Sequence, residues 1–208
     1  MGMTASDWIA AAGVVVAAIG VLGTWTIAAL ALWGDWFKSL FPILRPALTI
    51  ELIGPSEIVP HNNGLKARYY HLRVRNVRPR RLPAAHEAQV LITRVEEPGV
   101  AGQPTIVFSQ TVPLRWASQE IYPLLRTIGP AADADFLWVQ EDGKLQFMPL
   151  VMPGHFPNPP KGPANYWVTV QVRSVEAESQ PLRLKVAWDG QWHDGATEIA
   201  KHLVVSPV

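Results

Sequence analysis

The chain has 208 residues, a net charge of +1 and no cysteine. A balance so near neutral supplies no overall field for gripping nucleic acid, and the missing thiols exclude disulfides, thiol catalysis and cysteine-ligated zinc. Nineteen prolines and nine tryptophans suit short strands and ordered loops better than long helices.

The chain opens with MGMTASD (1–7), a short tail without Lys or Arg. Residues 8–33, WIAAAGVVVAAIGVLGTWTIAALALW, carry no charged side chain. As a helix this run would be about 39 Å long, enough to cross a bilayer core of about 30 Å with some tilt. Trp8 and Trp33 bracket it as interfacial aromatics do. It predicts one transmembrane helix. It is too long, and lacks the basic start, for a cleaved signal peptide. At 100° per residue Gly13, Ala17, Gly20, Thr24, Ala28 and Ala31 form a small-residue stripe. Val15, Ile19, Leu22, Thr26, Leu30 and Trp33 lie opposite. Small residues let helix backbones approach in lipid, so the stripe predicts a homo-oligomer through this helix.

Residues 34–46 read as an interfacial collar, with Trp36, Phe37, Leu40 and Phe41 at headgroup depth and Pro42 and Pro46 ending any helix. Lys38 and Arg45 follow the run, whereas Asp7 precedes it. Positive charge marks the cytoplasmic side. The expected placement is therefore the inner membrane, with the N-terminus outside and residues 47–208 forming a cytoplasmic domain close to the lipid.

That domain reads as an antiparallel β-sandwich, with a β-barrel as the alternative. After LTIELI (48–53), period-two alternation marks strands at 69–76, 165–174 and 181–188, and a more apolar run marks one at 86–95. Tyr70, Leu72 and Val74 alternate with His71, Arg73 and Arg75. Shorter strands are expected at 105–109, 112–116, 135–140 and 144–150. Turns are expected at Glu141-Asp142-Gly143 and Asp189-Gly190. Only 118–128 offers a helical turn, limited by Pro123. The proline-rich loop 152–165 reads as a rigid crossover projecting from the sheet.

The segments YYHLRVRN, AAHEAQVLITRV, VPLRW, TIGPAADADF and PLRLKVAWDGQWHD resemble uncharacterised bacterial proteins that join one or two N-terminal membrane helices to an immunoglobulin-like β domain. The resemblance covers most of residues 66–194 and implies fold, without transferring an active-site residue. The layout, a β domain on a membrane helix, is also similar to that of anti-phage membrane effectors.

Candidate chemistry concentrates at 66–81, KARYYHLRVRNVRPRR. Arg73, Arg75 and His71 share a strand face, and Arg78, Arg80 and Arg81 sit in the following turn. Guanidinium groups match phosphate, so these six residues are the expected binding site for a phosphate-bearing ligand or anionic lipid. The competing reading is a solvated strand face whose arginines pair with Glu87, Glu96 or Glu97. Asp133 and Asp135 are too few donors for a metal site. The six histidines make no HxxxH or HxH pair, and neither a phosphate loop nor a nucleophile elbow occurs. No catalytic residue, metal or cofactor is assigned, and an enzyme is not expected. Two functions remain. One is a sensor or effector whose β domain binds a ligand or partner while its helices associate. The other is a tethered adaptor binding an unidentified protein.

Overall fold

The computed structural model describes residues 20–21, 23–27, 45–61, 63–77, 84–99, 103–117, 124–157, 159 and 161–208. The chain divides into two compact units, Met1–Arg45 and Pro46–Val208. In the first unit, the described residues 20–21 and 23–27 are helical and exposed. The rest of the run 8–33 and collar residues 34–44 lie outside the described residues, as do Gly13, Ala17, Ala28 and Ala31. Among the described residues no helix is long and apolar enough to cross a membrane.

The second unit is built from antiparallel strands. Their ranges are β1 Leu48–Ile53, β2 Val59–Pro60, β3 Lys66–Asn76, β4 Ala85–Pro98, β5 Pro104–Phe108, β6 Val112–Pro113, β7 Arg126–Ile128, β8 Ala131–Gln140, β9 Leu145–Phe147, β10 Ala164–Arg173, β11 Leu182–Trp188 and β12 Leu203–Pro207. One sheet runs β1-β3-β8-β9, with β2 also on β3. The other runs β12-β11-β10-β4-β5, with β6 and β7 also on β4. Alternation decides which face is buried: Leu72 and Val74 of β3, Phe136 of β8, Val90 and Ile92 of β4, Val168 and Val170 of β10, and Leu184 and Val186 of β11 all enter one core. Two antiparallel sheets sharing a core is the arrangement of a β-sandwich.

Phe147 of β9 packs against Phe136, Phe156 and Tyr166, with ring centroids 5.8, 6.0 and 5.7 Å away. Tyr166 belongs to the other sheet, so this aromatic cluster joins the two. Phe156 comes from the proline-rich crossover and is buried. The crossover is thus pinned into the core by one aromatic, where projection from the sheet was expected.

The two expected turns carry left-handed glycines, Gly143 (φ 81°) and Gly190 (φ 87°). A Cβ on Gly190 would lie 3.0 Å from the Gly162 Cα, so backbone crowding as well as φ selects glycine there. Of the segment 118–128, where a helical turn was expected, the described part differs: Arg126–Ile128 is strand β7 on β4. Residues 118–123 lie outside the described set. The C-terminal elements, the short helix Ala196–His202 and β12, have no counterpart among the expected elements.

Candidate functional site

The expected binding face lies on β3, between β1 and β8. Tyr70, Leu72 and Val74 point into the core, while His71, Arg73 and Arg75 lie on the opposite, partly exposed side. Register places Glu51 opposite Arg73 on one flank, and Asp133 opposite Arg73 and Asp135 opposite His71 on the other. The consequence is a cross-strand ladder of opposite charges. Arg73 donates from Nε and Nη2 to the two oxygens of Asp133, at 2.8 and 2.9 Å. Arg75 pairs diagonally with Glu51 at 3.0 Å. His71 Nδ1 lies 3.0 Å from Asp135 Oδ1, within ion-pair range but off hydrogen-bond alignment. Arg115 meets the other Asp135 oxygen at 3.1 Å.

The solvated-face reading named Glu87, Glu96 and Glu97 as partners. The partners are instead Glu51, Asp133 and Asp135, from the two strands that flank β3. The ADAD motif and the basic strand are therefore two halves of one feature. A phosphate reaching Arg73 would compete with a bidentate carboxylate already in place. Arg78, Arg80 and Arg81 lie outside the described residues.

Arg73 holds the Asp133 carboxyl below the usual carboxylate range through this hydrogen bond; burial opposes the shift, and attraction from His71 and Arg126 adds to it. A carboxyl depressed in the folded state stabilises the fold above its unfolded value, about 3.9, and that contribution is lost as pH falls through the folded value. Asp133→Asn should therefore destabilise the domain at pH 7, by less than about 1 kcal/mol for so screened a pair. Urea unfolding of both proteins at pH 7 and again near pH 3 checks this. The gap should close at the lower pH, and a gap that is constant or widens would contradict it.

A second cluster forms where β11 ends and the C-terminal helix turns into β12. His202 Nδ1 lies 2.6 Å from Asp189 Oδ2. Asp189 accepts the Gln191 amide at 2.9 Å through its other oxygen, and its own amide donates to the His202 carbonyl at 3.1 Å. Burial opposes ionisation of Asp189, and the bonds from His202 and the Gln191 amide outweigh it, so its pKa falls. The His193 ring stacks on His202 with centroids 4.5 Å apart and planes 14° from parallel. Imidazole lone pairs lie in the ring plane, so rings this nearly parallel do not converge on one ion. Among the described residues no group of three or more His, Cys, Asp or Glu side chains is arranged to hold a metal.

Beside this cluster runs an open groove of about 400 Å³, with Ala164, Ala187 and Trp188 among its apolar lining and Asp189, Lys201 and His202 among its polar lining. Lys201 is held by Glu198 at 2.8 Å. None of these residues was expected as a site. His193, His202 and Asp189 are separated along the chain, and only the helix–β12 return brings them together.

The helix-association residues are described at two positions. Thr24 Oγ1 donates to the Gly20 carbonyl of its own helix at 2.9 Å. A Cβ built on Gly20 meets no atom within 4 Å. No family model, no curated protein and no solved structure matches the chain.

Proposed function

We propose that this chain is a membrane-anchored sensor or effector: residues 8–33 span the membrane and associate with other copies, and the cytoplasmic β domain binds a ligand. The observation that carries this reading is the uncharged 8–33 run, long enough to span, set just ahead of a compact unit that starts at Pro46. The groove edged by Asp189, Lys201 and His202 is the place we assign to a ligand. The six β3 and turn residues become a weaker choice, because His71, Arg73 and Arg75 have carboxylates beside them. Similarity of layout to anti-phage membrane effectors agrees with this reading and adds no site.

A second reading, the tethered adaptor, is favoured by one observation. Edge strand β5 exposes Ile106 (50%) and Val107 (37%) beside a smaller cavity of about 210 Å³ that reaches His155. An apolar strand edge suits pairing with an extended partner segment.

Full-length protein should stay with membranes through alkaline carbonate washing, whereas residues 46–208 alone should be released. Crosslinking in mild detergent should give oligomers that Gly20→Leu disperses and Leu22→Ala leaves intact. Release of the full-length chain would end the anchor reading. A monomeric wild type, or equal damage from both substitutions, would leave the adaptor as the better account. Because Thr24 is hydrogen-bonded to Gly20 within its own helix, Thr24→Val should weaken assembly less than Gly20→Leu.

A further inference from the structure

The outer face of the larger sheet differs in charge from the β3 face. Register places Arg94 of β4, Thr169 of β10 and Arg183 of β11 in one cross-strand row. The next row holds Glu96, Trp167, Lys185 and, on β12, Ser206. The two rows thus hold three cations and one carboxylate. Glu96 is almost buried, with 6% of its side chain exposed, and bridges Arg94 Nη2 and Arg183 Nη2 at 2.8 Å each. Each arginine meets the carboxylate through a single terminal nitrogen at closest approach, unlike the two-nitrogen clamp of Arg73. The arginine side chains are 46% and 38% exposed. The Arg183 guanidinium lies 5.8 Å from the centre of the Trp167 ring. Lys185 has no ion-pair partner among the described residues.

We infer that this face, at Arg94, Arg183 and Lys185, rests on anionic lipid headgroups of the membrane that holds the anchor. The inference rests on the anchor reading above. An open strand face presents its cations outward and encloses no ligand, so each contact with an anionic leaflet is weak. The anchor keeps the domain beside the bilayer and supplies the high local concentration that such weak contacts need. A single-stranded nucleic acid is the poorer fit, because base stacking wants a free aromatic face and Arg183 lies over Trp167.

The test reconstitutes the full chain in nanodiscs of phosphatidylcholine, alone or mixed with phosphatidylserine, and maps lysine labelling by an amine-reactive reagent with mass spectrometry. Lys161, whose side chain is 65% exposed on the crossover, is the internal reference. Labelling of Lys185 relative to Lys161 should fall at least about threefold with phosphatidylserine and recover in high salt, as screened headgroup contacts do. In Arg94→Gln, whose melting is checked beside wild type, that protection should shrink. Equal Lys185 labelling in both discs overturns the inference while leaving the anchor standing. Protection of Lys185 in neutral discs by an added oligonucleotide or inorganic triphosphate, without protection by phosphatidylserine, also overturns it and assigns the face to a soluble phosphate ligand. Failure of the chain to enter either disc refutes the anchor reading, and the inference falls with it.

Discussion

Phe147→Ala is expected to lower the stability of the β domain by about 3–5 kcal/mol, the range for emptying a buried phenylalanine site. Phe147 is 1% exposed and touches aromatic rings from β8, β10 and the crossover. Its removal therefore loosens both sheets and the segment that connects them. At about 2–4 °C per kcal/mol for a domain of this size, the melting temperature should fall by roughly 6–20 °C. The measurement is thermal unfolding of residues 46–208, the compact unit, followed by circular dichroism. Val151→Ala is the control: its side chain is exposed, and a surface change of this kind stays within about 0.5 kcal/mol. A loss under about 1 kcal/mol for Phe147→Ala would mean that the aromatic cluster does not tie the sheets together.

The same cluster indicates what could be read from the chain and what could not. Strands β1, β3, β10 and β11 announce themselves because each has one more buried face, and period two follows directly from pleat geometry; β4 shows instead as an apolar run, with Val90, Leu91 and Ile92 buried in succession. The inward set of β3, Tyr70, Leu72 and Val74, is the alternating set of the sequence. Strand β8 was legible only in its apolar second half. Its first half, Ala131 to Asp135, carries carboxylates whose reason for being there is β3, far away in sequence. That also explains the misassigned partners of the arginines. Sequence reading offered Glu87, Glu96 and Glu97, whereas antiparallel register decided for Glu51, Asp133 and Asp135. The C-terminal helix is too short for a helical period to be visible, and β12 shows only Leu203, Val204 and Val205 before Ser206 and Pro207. With both unread, the meeting of His193, His202 and Asp189 had no signal at all. Phe156 was hidden for a related reason: a single aromatic among prolines has no period.

Alternation also misleads at the start of β3, where Ala67 and Arg68 are consecutive and both buried. Arg68 is 5% exposed. It looks like another member of the basic strand face, yet its guanidinium donates to two backbone carbonyls, Ser56 O at 2.6 Å and Asp194 O. Those carbonyls belong to the β1–β2 connection and to the turn before the C-terminal helix. The same turn is held from outside by Lys66, 2.6 Å from the Asp194 carboxylate, and by the Trp192 indole N–H at 2.8 Å. Lys66 chiefly, then Trp192, holds the Asp194 carboxyl below its ordinary value.

Arg68→Ala is therefore expected to cost about 2–4 kcal/mol, since each lost charge-assisted bond is worth about 1.5–3 kcal/mol and relief of the buried charge offsets part of the sum. Arg68→Lys should recover only part of the loss, because an ammonium group cannot reach two divergent carbonyls as a planar fork does. Arg73→Ala, which removes a half-exposed pair, should cost less than either. Urea unfolding of the three variants and wild type gives the order. Hydrogen exchange should additionally show faster opening at residues 192–195 in Arg68→Ala and not in Arg73→Ala. If Arg73→Ala proves the more damaging, the strand's stability lies in its outer ladder, and Arg68 is not the clamp that its burial and two carbonyl partners imply.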